Sequence, residues 1–366
     1  MSVAVQAPAI AFDTVRAAPR PGWFELARPD LAHWNDLLLR TNASLHQYPY
    51  WNEPLRRLHF KPRYLVWGTP DRPRAYVCIL TLGFRGARIG LVFRGPTNLQ
   101  SEEELPAESL RELVCWARQV GYIFIRFTHS DGGLLRQVAA LGIARDFDAF
   151  PYYLDFSTTS PDFVVEQKAS DGEMLADFDH EARRKIRRGL EMGYEFRSSD
   201  TPEALADMWP LYQECARRKG FRMERPFSVY MELVRQARPH NCARVYSAHL
   251  NGKPVGTTLV FRDHQTALCL LAAFDPAPGQ CSAASLLHWW SMRDMHRLGA
   301  RCYNMGPGPG SLARFKEQFS PQHLAYPGPV TVVLRDRLFG LWCNAVLPVA
   351  KLSRPTLRAV SGHLYR

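Results

Sequence analysis

Short apolar runs separated by turn residues recur through the first half of the chain. Arg63 to Trp67, Arg74 to Leu82, Arg88 to Phe93, Tyr122 to Phe127 and Phe150 to Phe156 read as strands, the first two joined by Thr69-Pro70-Asp71-Arg72-Pro73. Helical spacing appears between them. Leu31 to Arg40 reads as a short amphipathic helix. Leu110, Leu113, Val114 and Ala117 share one face of a helix from Glu108 to Val120, which Gly121 stops, and Leu134 to Leu141 reads as another.

The second half carries capping signals as well. Ser170 and Glu173 have the spacing of a capping box. The helix that follows is expected to place Leu175, Phe178, Ala182, Ile186 and Leu190 on one face and to end at Gly193. Thr201-Pro202 opens a helix that runs to Gly220, with a kink expected at Pro210. A short helix spans Phe227 to Val234. Ala243 to Leu250 and Val255 to Phe261 flank Asn251-Gly252, the signal of a type I′ hairpin. Thr266 to Phe274 reads as a strand, Ser282 to Leu298 as a helix stopped by Gly299, and Arg301 to Met305 as a strand. Leu334, Leu338, Leu341, Trp342 and Ala345 are spaced helically up to Pro348. That segment reads as a helix docked on the body, with a membrane-surface helix as the alternative.

The two halves share an order of elements: helices, a three-strand meander, a long helix, a glycine and a further strand. This repetition predicts an α/β (α+β) chain with two copies of one domain. The order resembles that of the acetyltransferase-type (GNAT) domain, so the expected fold is two GNAT-like domains in tandem, each a mixed sheet flanked by helices. The expected boundaries are a loose tail over 1–22, domains over 23–157 and 158–333, and an amphipathic helix with a basic tail over 334–366.

Composition narrows the class. Of 366 residues, 46% are hydrophobic and 22% charged, a globular balance that excludes a disordered chain. Lys and Arg exceed Asp and Glu by 46 to 35, giving a formal charge of +11, which favours an anionic partner. The eight cysteines show no Cys-x-x-Cys spacing and sit mostly in apolar runs, as reduced buried residues do. The N-terminus lacks a basic stretch before an apolar core, and no apolar run is long enough to span a membrane. A cytoplasmic protein is expected, with peripheral contact at an inner membrane open through its C-terminal segment.

The stretch from Arg301 to Phe319 concentrates the candidate chemistry. Gly306, Pro307, Gly308, Pro309 and Gly310 force the chain out of a strand and set Phe315-Lys316 near the strand end. Tyr303 and Asn304, at the end of that strand, are candidate substrate ligands. Arg183, Arg184, Lys185, Arg187 and Arg188 form a basic run beside an apolar helix face, a solvated surface or a phosphate surface; Arg184 is the substrate-binding candidate there. Gln280, Ser282 and Ser285 stand where GNAT enzymes place their pyrophosphate loop, so they are the candidate donor ligands, although Ala and Ser replace its glycines. His129 with Asp131 could form a base pair, or be structural. The chain holds no Gly-x-Ser-x-Gly, phosphate-binding P-loop or metal-ligating cluster.

These pieces resemble the Fem family of aminoacyltransferases and their tandem-GNAT relatives. The matching stretches are HEARRKIRRGLEMGYEF (180–196), LYQECARRKGF (211–221), HLNGKPVGTTLVF (249–261), SLLHWWSMRDMHRLGARCYNMG (285–306) and RFKEQFS (314–320), with a fainter match at HQYPYW (46–51). The resemblance implies a set of roles. Arg218, in Arg218-Lys219-Gly220-Phe221, would hold an acceptor's diphosphate, and a guanidinium suits that task. Lys316 would stabilise charge developing at the reacting ester, with Phe315 as its anchor. Gln47 and Trp51 fall on the family's Gln-x-x-x-Trp; the lysine expected four residues later is Leu55 here, with Arg56 beside it as the substrate-binding candidate. Leu268 and Leu270 replace an aromatic pair, and the helical hairpin that some members insert has no counterpart. The implied activity is amide formation by attack of an acceptor amine on an activated acyl ester or thioester, with an anionic, envelope-related acceptor. The donor is aminoacyl-tRNA, acyl-CoA or acyl carrier protein, with no permanently bound cofactor. The alternatives are a CoA- or carrier-protein-dependent N-acyltransferase of envelope or polysaccharide biosynthesis, and a non-catalytic adaptor on the same fold.

Overall fold

Two mixed sheets organise the chain, one in each of two units. The computed structural model describes residues 22–27, 30–69, 72–84, 87–100, 105–129, 131–141, 143–145, 161–221, 225–275, 281–308 and 310–348. The first unit takes in residues 22–145 and 328–348, the second residues 161–327. The first runs β1 (Gly22–Glu25), α1 (Leu31–Leu38), α2 (Pro49–Asn52), β2 (Lys61–Thr69), β3 (Arg72–Phe84), β4 (Ala87–Phe93), β5 (Thr97–Asn98), α3 (Ala107–Gln119), β6 (Tyr122–Thr128), α4 (Gly132–Ala140) and β7 (Ile143–Arg145). The second runs β8 (Asp162–Glu166), α5 (Asp171–Asp177), α6 (His180–Glu191), β9 (Glu195–Ser199), α7 (Pro202–Lys219), α8 (Phe227–Ala237), β10 (Ala243–Leu250), β11 (Lys253–Arg262), β12 (Thr266–Phe274), α9 (Cys281–Arg297), β13 (Cys302–Asn304), α10 (Gly310–Glu317) and β14 (Gln322–Leu324). The chain then returns to the first unit as β15 (Val330–Val333) and α11 (Asp336–Leu341).

Strand order in the first sheet is β1-β2-β3-β4-β6-β15-β7, with β5 on β3; in the second it is β14-β8-β13-β12-β11-β10-β9. Each meander is antiparallel, and each is followed by one parallel pair, β4 with β6 and β12 with β13. Helices cover the sheets through apolar faces. Leu110, Leu113 and Val114 of α3 join Val77, Val92 and Ile125 in the first core. Ala182 and Ile186 of α6 and Leu286 and Met292 of α9 join Val260 and Tyr303 in the second.

The local signals hold where they are strong. Asn251 and Gly252 both have positive φ, 52° and 74°, as a type I′ turn requires. The Thr201 side chain accepts from the Ala204 amide, Pro202 sits in the first turn of α7, and Gly220 closes the helix at φ +67°. The helix expected from 171 to 193 is two helices. Phe178 is extended at ψ 154°, and Asp179 caps a new start by accepting from Ala182 N at 2.6 Å. A short acid at 179 therefore overrides the apolar periodicity. Leu190, placed on the buried face by that periodicity, is 56% exposed.

Among the described residues, seven strands have no counterpart in the sequence expectations: β1, β5, β7, β8, β9, β14 and β15. The strand expected at Phe150 to Phe156 and the N-terminal and C-terminal tails lie outside the described residues. β15 pairs with β6 and β7 of the first sheet, although the sequence reading ran the second half to residue 333. Helix α11 starts at Asp336, because Leu334 N still donates to Ile123 O at 2.9 Å and prolongs the strand. Its buried anchor is Phe339, edge-on to Phe124 at 5.5 Å, while Leu341 is 58% exposed. Among the described residues no helix is long and apolar enough to cross a membrane.

Candidate active site

The two parallel pairs differ in length, and this difference places the site. β4 and β6 pair from Arg88↔Tyr122 to Phe93↔Thr128, with one register shift after Arg88. β12 and β13 pair only from Thr266↔Cys302 to Leu268↔Asn304. β12 then runs on to Phe274 while the other chain turns away, so the second sheet opens into a fork.

The turn at the fork is built by the residues that follow β13. Asn304 Oδ1 accepts from Gly306 N at 2.6 Å, and Gly306 and Gly310 take φ of +69° and +56°, conformations that suit glycine. The carbonyls of Met305, Gly306 and Pro307 then lie beyond the β12 pairing, and Gly306 O keeps one bond, from Phe163 N of β8 at 3.3 Å. Lys316, in the last turn of α10, reaches back to them. Its Nζ donates to Met305 O at 2.6 Å, Gly306 O at 2.9 Å and Pro307 O at 2.8 Å, and lies 5.6 Å from the Phe163 ring centre. An ammonium has three donors, and all three are used. Only 5% of Lys316 is exposed. Burial lowers its pKa to about 8, while Cys269 and Asp162 act to raise it.

Close to this amine, aromatic rings pack around His288. His288 of α9 is buried, with ring centres of Phe274, Phe315, Phe319 and Tyr303 at 5.7 to 6.2 Å. Its Nδ1 is 3.4 Å from the Tyr303 hydroxyl. Burial first, and the Lys316 charge second, push His288 down to about 3, so it is neutral at any working pH. Cys269 on β12 is pushed up to about 11 by burial and remains a thiol. The Tyr303 hydroxyl is raised well above its ordinary value, again by burial. Arg218, at the end of α7, donates from Nη2 to Phe274 O at 3.0 Å and is otherwise exposed. It thus sits at the free end of β12, whose last side chain packs on His288.

The candidates from the sequence therefore divide. Lys316, Phe315, Tyr303 and Asn304 come together at the fork, and Arg218 reaches the tip of one arm. Tyr303 and Asn304 are buried supports: Asn304 Nδ2 donates to Asp162 Oδ2 at 2.8 Å, and Tyr303 has no exposed surface. Ser282 and Ser285, in the first turns of α9, are fully buried with hydroxyls that find no partner among the described residues, and Gln280 lies outside them. Arg184 is exposed and takes both Glu181 oxygens at 2.9 Å. In the first unit, Gln47 is fully buried, with Nε2 on Phe93 O at 2.6 Å and Oε1 on Cys78 N at 2.8 Å. Trp51 is buried beside His46 at 5.4 Å, and Arg56 is paired with Glu53. His129 Nδ1 accepts from Asp131 N, and Asp131 caps α4, which is a structural turn. His288 and Cys269 had no signal in the sequence beyond polar letters inside apolar runs, and Asp162 none beyond an acid at a strand start.

The fold and the fork define a class, a GNAT-type acyltransferase domain carried on the second unit. Residues 176–317 match the acetyltransferase (GNAT) domain family. A search of the curated proteins finds no match. Among solved structures, the chain is similar to FemX at 13% identity, with a TM-score of 0.73 over 87% of this chain and 99% of that one. It is similar to L-PGS from Bacillus licheniformis at 16% identity and a TM-score of 0.54, over 88% and 98% of the two chains. The C-terminal domain of a putative lysylphosphatidylglycerol synthetase from Agrobacterium fabrum gives 15% identity and 0.52, over 86% and 96%. The chain thus has the fold of FemX and these synthetases over nearly its whole length, which bears out the Fem-like, tandem-GNAT resemblance at the level of fold.

Proposed function

We propose that this protein is a Fem-like acyl- or aminoacyltransferase that joins an activated acyl group to an amine. The acceptor nitrogen attacks the carbonyl carbon of an acyl ester or thioester, and a tetrahedral oxyanion forms. The C–O or C–S bond then breaks, the leaving group takes up a proton, and the amine loses one. The carrying observation is the buried Lys316 ammonium at the opening of the second sheet. Its charge, held in a dry aromatic setting, would stabilise the oxyanion. The hydrogen bond to Pro307 O is the outermost of its three and is the one an oxyanion would replace. Neutral His288 shields the charge and adds none of its own.

Arg218 would bind an anionic acceptor: one of its donors holds Phe274 O, and its surface position leaves the fork of the guanidinium open to a phosphate. An envelope-related acceptor fits that chemistry, in keeping with the lysylphosphatidylglycerol in the name of one structural neighbour. The donor would be aminoacyl-tRNA, acyl-CoA or acyl carrier protein, met in the cytoplasm or at the inner face of a membrane. The test is a shift in melting temperature with each donor, followed by turnover with the one that binds. The reading expects one donor to stabilise the protein and Lys316→Met to abolish transfer from it. Full transfer by Lys316→Met would refute the reading.

A further inference from the structure

The Lys316 ammonium is held by a structure that the reaction itself does not explain. Its three carbonyl acceptors belong to consecutive residues, Met305, Gly306 and Pro307. Three carbonyls of one short loop converge on one point only if the loop is fixed from behind, and β8 fixes it. Met305 N donates to Phe163 O at 2.8 Å, and Phe163 N donates to Gly306 O at 3.3 Å. Next to them, Asp162 Oδ2 accepts from Asn304 Nδ2 at 2.8 Å and from the Tyr326 hydroxyl at 2.6 Å. Asn304 Oδ1, turned by that bond, accepts from Gly306 N at 2.6 Å. A chain of hydrogen bonds thus runs from a 5% exposed carboxylate, through an amide side chain, to the peptide whose oxygen meets the lysine.

We propose that Asp162 is the positioning residue of Lys316, setting the carbonyl cage through Asn304 and supplying the counter-charge of the buried ammonium. The proposal deepens the reading of Lys316 as the catalytic charge and rests on it. The groups around the lysine leave that task to Asp162. Cys269 on β12 is a neutral thiol, His288 on α9 is neutral, and the Tyr303 hydroxyl on β13 holds its proton. Glu317, next to Lys316 on α10, is exposed and paired with His323 at 3.0 Å. Burial works against the charge of Lys316; Cys269 and then Asp162 work for it, and Cys269 can do so only as a thiolate, which its own burial disfavours. Carbonyl oxygens alone solvate an ammonium but do not neutralise it.

The experiment needs no substrate. The full-length protein is labelled with lysine carrying ¹³C at Cε, and the Lys316 resonance is assigned by its loss in Lys316→Arg. Asp162→Asn keeps the shape and removes the charge, and the Lys316 midpoint is expected to fall by about one pH unit, the size of effect that a nearby opposite charge exerts. Asn304→Ala keeps the carboxylate and cuts its link to Gly306. In that variant, acylation of Lys316 by a small N-hydroxysuccinimide ester, read by mass spectrometry, is expected to rise about tenfold over wild type, as a loosened cage exposes the amine. An unchanged midpoint in a folded Asp162→Asn overturns the proposal. If that variant does not fold, unchanged protection in Asn304→Ala overturns it. Should both variants respond as expected while Lys316→Met still transfers acyl groups normally, Asp162 keeps its positioning role and the catalytic reading of Lys316 falls alone.

Discussion

The two units use one arrangement of strands to opposite ends. In the first, β4 and β6 stay paired to their tips, and Gln47 ties the last residue of β4 by donating to Phe93 O. In the second, β12 and β13 separate after three pairs, and an exposed arginine, Arg218, donates to the last carbonyl of β12, Phe274 O. A buried amide closes one sheet, and an exposed cation stands at the open end of the other. The pair teaches that the parallel strand after the long helix is a fold element in both units. It becomes the candidate site only where pairing stops early and the carbonyls beyond it take a cation. The GNAT domain match falls on the second unit alone, in keeping with that division.

The largest effect is expected at Lys316. Lys316→Met keeps the stem and removes the charge, so kcat is expected to fall about 10²–10³-fold, the loss usual for one preorganised group at an oxyanion. Lys316→Arg should not restore it, because a planar guanidinium cannot end on three carbonyls that converge on one point. Normal kcat in either variant would make the fork as structural as the zipped pair of the first unit. The next effect in size is at Arg218. Arg218→Ala should raise the acceptor's KM by about one power of ten or more, for loss of a charge-assisted pair on the order of 1.5–3 kcal/mol, with kcat held. An unchanged KM would leave Arg218 as a main-chain tie like Gln47.

Gln47 is the buried counterpart in the first unit. Gln47→Leu strands Cys78 N–H and Phe93 C=O inside the first unit, and a loss of about 2 kcal/mol is expected, read as a lower Tm or urea midpoint. Turnover by the folded fraction should match wild type. A loss of kcat at full stability would instead give the first unit a share in the chemistry. The last effect, read only on the acid side, is at His288. Its folded pKa, about 3, lies below the ordinary value of 6.5, so the unfolded chain takes up the proton first as pH falls. That contribution to stability is present above pH 6.5 and is lost between about 6.5 and 3. In His288→Phe this part of the acid limb in a urea titration should flatten, and a limb as steep as in wild type would contradict the buried neutral imidazole.

Much of this was legible from local chemistry. Asn251-Gly252 marked its hairpin, Ser170 with Glu173 marked the start of α5, and Thr201-Pro202 with Gly220 marked both ends of α7. The misses have one cause. β8, β14 and β15 are three to five residues long and exist through partners distant in the sequence, which no short window contains. The break at Phe178 was hidden because the apolar spacing runs across it, although Asp179 was there to be read as a cap. In the site, Phe315, Lys316 and Arg218 stood out by motif. Gln47 carried a motif too, yet only the fold shows both ends of its amide spent on backbone. Asp162 and His288 were silent: a carboxylate at a strand start and a histidine in an apolar helix look like surface and core until the loop beside them is seen.

If the buried Lys316 works as an ammonium, its titration must appear in the pH dependence of kcat. With saturating donor and acceptor, kcat should rise as the acceptor amine loses its proton, then fall with a midpoint near pH 8 as Lys316 loses its own. A rate that climbs without a break through pH 10 in the wild-type protein would contradict the account.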